Sequence, residues 1–197
     1  MIEDSYLSID SPANGLFKDK GSKFLAFAFP VESETEIKNH LFSIKKEYYD
    51  ARHHCYAYRL GHKGDNWRAN DDGEPSSTAG KPIHGQLLSH NLTDILVVVV
   101  RYFGGTKLGV PGLIRAYKES TIDVINNSTI CEKIATASHS FSFDYSIMND
   151  VMKVLKEFSL VPVSQTFEIN CSITVSIRLR DEERFLEAIK PIVTNLT

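Results

Sequence analysis

No apolar stretch in the 197 residues is longer than six, the length of Ile95 to Val100, whereas a membrane-spanning helix needs ~20. The opening Met1-Ile2-Glu3-Asp4 is acidic, where a secretory leader is basic. Together these predict a cytoplasmic protein with no membrane partner. Cysteine is scarce: Cys55, Cys131 and Cys171 are odd in number, far apart and include no CxxC. That pattern argues against a disulfide framework and a zinc ribbon and reads as three small buried hydrophobes. A large net charge is also missing, since 22 basic and 25 acidic side chains leave −3. What remains is an ordinary globular composition, 42% hydrophobic and 24% charged, with length for one or two domains at ~150 residues each.

The near-neutral total conceals an uneven distribution, and position matters more than the sum. Residues 1–50 carry 6 basic and 9 acidic groups, and residues beyond 136 carry 6 and 8. By contrast, the windows 51–68 and 101–118 hold Arg52, Arg59, Lys63, Arg68, Arg101, Lys107, Arg115 and Lys118 against Asp65 alone.

Periodicity supplies the organisation. Residues 23–31 read as a strand leading into a helix, where Ser33 and Glu36 form a capping box and Ile37, Leu41, Ile44 and Tyr48 recur at helical spacing. His54 to Leu60 alternates as a half-buried strand, with Cys55, Ala57 and Arg59 on one side. Residues 71–83 are turn formers throughout and predict a long loop. A short helical stretch around 85–90 precedes a strand at 94–101 that is apolar on both faces. It empties through Gly104-Gly105 into a helix that Pro111 can start, running to about Asn126. In this helix Gly112, Ala116 and Ser120 form a small-residue stripe. Beyond residues 130–138 the order becomes strand 139–145, helix 147–158, strands 160–167 and 169–179, and helix 181–193 with Asp181 in the N-cap position. This βαββα order is that of a ferredoxin-like domain without its last strand.

The strand, glycine loop and helix at 95–126 favour an anion, because a helix start offers unpaired N–H groups and the positive end of its dipole. Arg101 and Lys107 flank that mouth. The alternative is a sharp turn with no ligand. Nucleotide motifs fail: the glycines at 104, 105, 109 and 112 do not make G-x-G-x-x-G, and Gly80-Lys81 is followed by Pro82 rather than Ser or Thr. His53, His54 and Cys55 alternate across a strand and cannot converge on one metal ion, so no metal and no cofactor is expected. The loop candidates Asp72, Glu74, Ser76 and Thr78 allow acid/base chemistry with His53 or His54. They equally allow a polar turn whose acids pair with Arg52, Arg59 or Arg101. Tyr56, Tyr58, Tyr102 and Phe103 interleave with the cations, as a single-stranded nucleic-acid platform requires.

Four ordered blocks carry a resemblance: Lys20-Gly-Ser-Lys-Phe24, Arg52-His-His-Cys-Tyr-Ala-Tyr58, Asp72-Gly-Glu-Pro-Ser-Ser-Thr-Ala-Gly80 and Arg101-Tyr-Phe-Gly-Gly-Thr-Lys-Leu-Gly-Val-Pro-Gly-Leu-Ile-Arg-Ala-Tyr117. Together they resemble the signature of the YigZ/IMPACT family. The resemblance implies an α+β chain in two domains. Residues 1–133 would form a ribosomal protein S5 domain 2-like α/β domain and 134–197 a ferredoxin-like domain, a pair similar to domains IV and V of elongation factor G. It further implies binding to nucleic acid or the ribosome. Translation regulation as in eukaryotic members does not simply transfer, because this architecture lacks the surrounding pathway, and the expectation is a non-enzymatic protein that binds RNA or the ribosome with a role in translation regulation. The expected contact set is Lys23, Arg52, His53, His54, Arg59, Arg101, Tyr102, Phe103, Gly104, Gly105, Lys107 and Arg115. Two other readings stay open: an enzyme acting on a small phosphorylated or peptide-like substrate at Asp72/Glu74 and His53/His54, and a protein partner in translation control held by Tyr102 and Phe103.

Overall fold

A computed structural model describes residues 4–168 and 170–197. Residues 1–3, at the start of the expected first domain, and 169, at the start of an expected strand, lie outside the described residues. The chain divides into two compact units, Tyr6–Lys133 and Ile134–Thr197, the latter joined by residues 4–5. Both are α+β.

In the first unit the elements run β1 (Ser5–Ile9), β2 (Ala13–Asp19), β3 (Ser22–Pro30), α1 (Glu34–Glu47), β4 (His53–Leu60), β5 (Asn66–Asn70), α2 (Gly80–Ser89), β6 (Ile95–Tyr102), α3 (Gly109–Asn126) and β7 (Ile130–Ile134). Five strands form one antiparallel sheet in the order β2-β3-β6-β4-β5, while β1 pairs with β7. The apolar run places β6 in the middle: Ile95, Val97 and Val99 face α2 and α3, and Leu96, Val98 and Val100 face α1. Burial on both faces is what an unbroken Val/Ile/Leu strand requires.

Helix α1 starts as its capping box predicts, with Ser33 Oγ accepting the Glu36 N–H at 3.2 Å. The Glu36 carboxylate reaches one residue further back than the motif implies and accepts the Glu32 N–H at 2.8 Å. Helix α2 begins at Gly80, earlier than expected, because Asp71 caps it from outside the helix: Asp71 Oδ1 accepts the N–H groups of Ala79 and Gly80 at 3.0 and 2.8 Å. Gly15 of β2 packs against the α3 backbone, where a Cβ would lie 2.7 Å from the Val124 nitrogen.

The second unit runs β8 (Thr136–Asp144), α4 (Met148–Glu157), β9 (Ser164–Thr166), β10 (Asn170–Arg178) and α5 (Glu182–Ile189), with strand order β8-β10-β9. Phe141, Phe143, Cys171, Ile173, Val175 and Ile177 turn one face toward Val151, Leu155, Phe185 and Ile189 of the helices. The expected gap at the fourth strand is partly filled. Thr194 and Thr197 exchange backbone hydrogen bonds of 2.7–2.9 Å with Ser142 and Ser140 of β8, so the chain end takes the position that a last ferredoxin-type strand would occupy. Asp181 is the N-cap residue of α5 as expected, but its side chain makes no cap bond. Asp4 accepts two hydrogen bonds from Arg178, both 3.0 Å. That bidentate contact, and lesser attraction to Arg180, hold the Asp4 carboxyl below its ordinary range although burial opposes them.

Candidate nucleic-acid interface

The strand register gathers the four sequence blocks at one end of the first unit's sheet. Lys23 of β3 lies opposite Tyr102 of β6, and Phe24 and His53 both lie opposite Arg101. Arg52 precedes β4 at this end, the glycine loop leaves β6 here, and α3 begins a few residues later. Residues 71–79 close over the same corner, with the Asp72 carbonyl 2.9 Å from His53 Nδ1.

Beneath this corner lies a buried polar network. Arg101 and Glu74, each 8% exposed, pair at 2.6 Å through Nη1 and Oε1. The Tyr117 hydroxyl of α3 donates to the same Oε1 at 2.9 Å, and the Cys55 thiol contacts that hydroxyl at 3.3 Å. The Arg101 guanidinium also stands 5.6 Å from the Phe24 ring and 5.8 Å from the Phe103 ring, within cation–π range. Two charges removed from water are tolerable only when paired and hydrogen-bonded; the network supplies the pairing, while Arg101 Nε is buried with no hydrogen-bond partner among the described residues. Burial pushes the Cys55 thiol well above its ordinary value, a shift the nearby carboxylates reinforce and the Tyr117 hydrogen bond opposes. The thiol is therefore protonated at neutral pH and a poor nucleophile. Burial likewise pushes the Tyr117 phenol upward.

Asp72 is also engaged. Its Oδ2 accepts the His54 N–H at 2.7 Å and its Oδ1 meets Lys45 Nζ at 3.2 Å. Burial alone would raise this carboxyl, but the hydrogen bonds and the Lys45 and His54 charges outweigh it and hold it below the usual range. Thr78 is buried and donates to the Pro75 carbonyl at 2.7 Å, whereas Ser76 is exposed. Among the described residues no three His, Cys, Asp or Glu side chains gather as metal ligands.

Several expected contact residues do not reach a common surface. Arg59 lies at the opposite end of β4, ~20 Å along the strand from His53, and is buried with Nη1 donating to the Leu92 carbonyl at 2.7 Å. Arg101 is spent inside the network. His54 turns toward α1, its Nε2 3.0 Å from the Tyr48 carbonyl. Gly104 donates its N–H to Ser22 Oγ at 3.1 Å, and a Cβ there would come 1.9 Å from the Gly21 carbonyl carbon. Its lack of a side chain thus serves packing of the loop on the β2–β3 turn rather than approach of a phosphate. Gly105 faces open space with φ +88°, a conformation that disfavours any side chain.

Lys23, Arg52, Lys107 and Arg115 remain exposed at this corner, and among the described residues none has an ion-pair partner. Phe103 is 56% exposed beside them. Tyr102 is half-buried and donates to Asp50 Oδ1 at 2.7 Å, a bond that pushes its phenol up to about 12. The N-terminus of α3 has no side-chain cap. Sequence reasoning missed Tyr117 as the third member of the Arg101–Glu74 network, although it closes the longest block. Its position four residues beyond Leu113, on the buried face of α3, was the available signal.

Three comparisons bear on these residues. The model of the Impact N-terminal domain matches residues 20–125, a span containing all four blocks. The IMPACT family member YvyE of Bacillus subtilis is 34% identical over 193 residues, covering 98% of this chain and 87% of its own length. The IMPACT family member YigZ of Escherichia coli is 31% identical over 154 residues, covering 77% and 76%. A crystal structure described as that of a hypothetical protein superposes with a TM-score of 0.75 at 26% identity, over 96% of this chain and 93% of that one.

Proposed function

The chain belongs to the IMPACT family, and on that premise we propose that its first unit is a non-enzymatic RNA-binding module acting in the regulation of translation. The observation that carries this reading is the set of unpaired cations at one sheet end. Lys23 of β3, Arg52 just before β4, Lys107 of the glycine loop and Arg115 of α3 are all exposed, Lys23 shares a hollow with the exposed Phe103, and the start of α3 carries no side-chain cap. Cations without internal partners can each neutralise a phosphate, and phosphate contacts supply most non-specific nucleic-acid affinity. The aromatic ring adds a stacking surface. The alternative at Asp72/Glu74 and His53/His54 is less favoured, because both acids are already engaged: Glu74 with Arg101 and Tyr117, and Asp72 with His54 and Lys45.

Anisotropy titration of a labelled mixed-sequence RNA tests the proposal. Lys107→Ala combined with Arg115→Ala should weaken binding about tenfold at moderate salt. Full affinity in that variant would overturn the assignment of the rim.

A further inference from the structure

The helices leave part of the sheet uncovered. On the face that α1 packs against, the register sets three rows across β2, β3 and β6: Asn14, Phe27 and Val98, then Leu16, Leu25 and Val100, then Lys18, Lys23 and Tyr102. Val98 and Val100 are fully buried, whereas Leu25 and Phe27 are half-buried and Leu16 is 46% exposed. The uncovered strip holds two hollows that share Leu25. One of about 420 Å³ lies between Leu16, Phe27 and Tyr48, and one of about 400 Å³ lies between Lys23, Tyr102 and Phe103. Lys18 and Lys23 stand directly opposite each other on adjacent strands, and among the described residues no carboxylate is paired to either. Like charges in that relation destabilise a sheet unless something anionic sits on them. Asp50 and Asp123 line the same strip, but each is engaged: Asp50 with the Tyr102 hydroxyl at 2.7 Å and Asp123 with the Leu16 N–H at 2.8 Å.

Resting on the RNA-binding reading above, we infer that the ligand is single-stranded RNA and that its bases seat along this strip. The phosphates lie on the Lys18–Lys23 pair and continue to the glycine-loop rim. An apolar and aromatic floor beside a cationic row accepts unstacked bases, whereas a duplex keeps its bases stacked inside and offers only its backbone and grooves. Lys23, Tyr102 and Phe103 belong to both the strip and the rim, so one strand can pass from one to the other.

The test uses the full chain with Leu16→Trp in a Trp67→Phe background, which moves the single tryptophan onto the strip. Position 16 is exposed enough to accept the ring. Unstructured oligouridine of about a dozen nucleotides should quench this fluorescence, and a duplex of equal length should not. Independently, Lys18→Gln should reduce the slope of log K against log salt by about 0.7, one phosphate contact on a single strand. If RNA binds through Lys107 and Arg115 but the new tryptophan stays silent and single and double strands bind alike, the strip is overturned while the rim stands. If no RNA binds, both fall. Quenching by a glutamate-rich apolar peptide and not by RNA would overturn the inference in favour of a protein partner.

Discussion

Replacing Glu74 by Gln keeps the shape of the side chain and removes its charge, leaving the Arg101 guanidinium buried without its carboxylate. Breaking a buried pair from one side costs ~3–5 kcal/mol. The amide oxygen of Gln can still accept the Tyr117 hydroxyl, which places the expectation near ~3 kcal/mol. For a unit of this size that lowers the midpoint by ~12 °C, at ~4 °C per kcal/mol. Tyr117→Phe removes one hydrogen bond to a charged acceptor and should cost ~1.5–3 kcal/mol. Glu74→Leu combined with Arg101→Met should cost less than the sum of the single changes, because the double variant strands no buried charge. Urea denaturation followed by tryptophan fluorescence reports on this unit alone, since the only tryptophan is Trp67 of β5, stacked on His84 at 4.2 Å. An unchanged midpoint in Glu74→Gln, within ~0.5 kcal/mol, would refute the argument that this pair is buried and mutually dependent.

Acid should weaken the second unit through Asp4. Its folded carboxyl is held below the unfolded value of ~3.9, so the stabilisation is fully present above that pH and fades as pH falls through the lower folded value. Asp4→Asn should flatten that part of the acid limb in circular dichroism melts, and an unaltered limb would contradict the Arg178 assignment. Native iodoacetamide labelling at pH 8 should modify the partly exposed Cys131 and spare Cys55 until denaturant is added; rapid native alkylation of Cys55, seen by mass spectrometry, would contradict its burial as a protonated thiol. Gly104→Ala should destabilise the first unit by more than ~2 kcal/mol because its Cβ meets backbone. Gly105→Ala, strained only by its positive φ, should cost ~1–2 kcal/mol; equal melting temperatures for the two would refute the packing role of Gly104.

Much of the fold was legible because its elements carry strong local signals. The Ser33–Glu36 cap, the apolar run at 95–100 and the alternation of β4 each follow from period and chemistry. The strands β1, β2, β5 and β7 passed unread, being short or mixed in character and dependent on pairing partners far away in sequence. The corner itself was legible as four blocks, but not the division of labour within it. Alternation placed Arg59 on the same side as Cys55, yet a one-dimensional pattern does not say at which end of β4 a residue meets solvent. The polar-turn reading allowed the loop acids Arg52, Arg59 or Arg101 as partners, and the one-dimensional pattern does not say that Glu74, 27 residues before Arg101, takes that one. Lys18 and Lys23 became a pair only through the β2–β3 register.

The central claim is that free cations at the glycine-loop corner hold RNA phosphates, and the salt dependence of binding tests it most directly. With Lys18 on the strip and Lys23, Arg52, Lys107 and Arg115 at the corner making five contacts, log K for single-stranded RNA should fall with log salt at a slope of about −3.5, a loss of ~130-fold between 50 and 200 mM. Lys107→Ala with Arg115→Ala should reduce that slope to about −2.1. A slope near zero, or one that the double substitution leaves unchanged, would contradict the account.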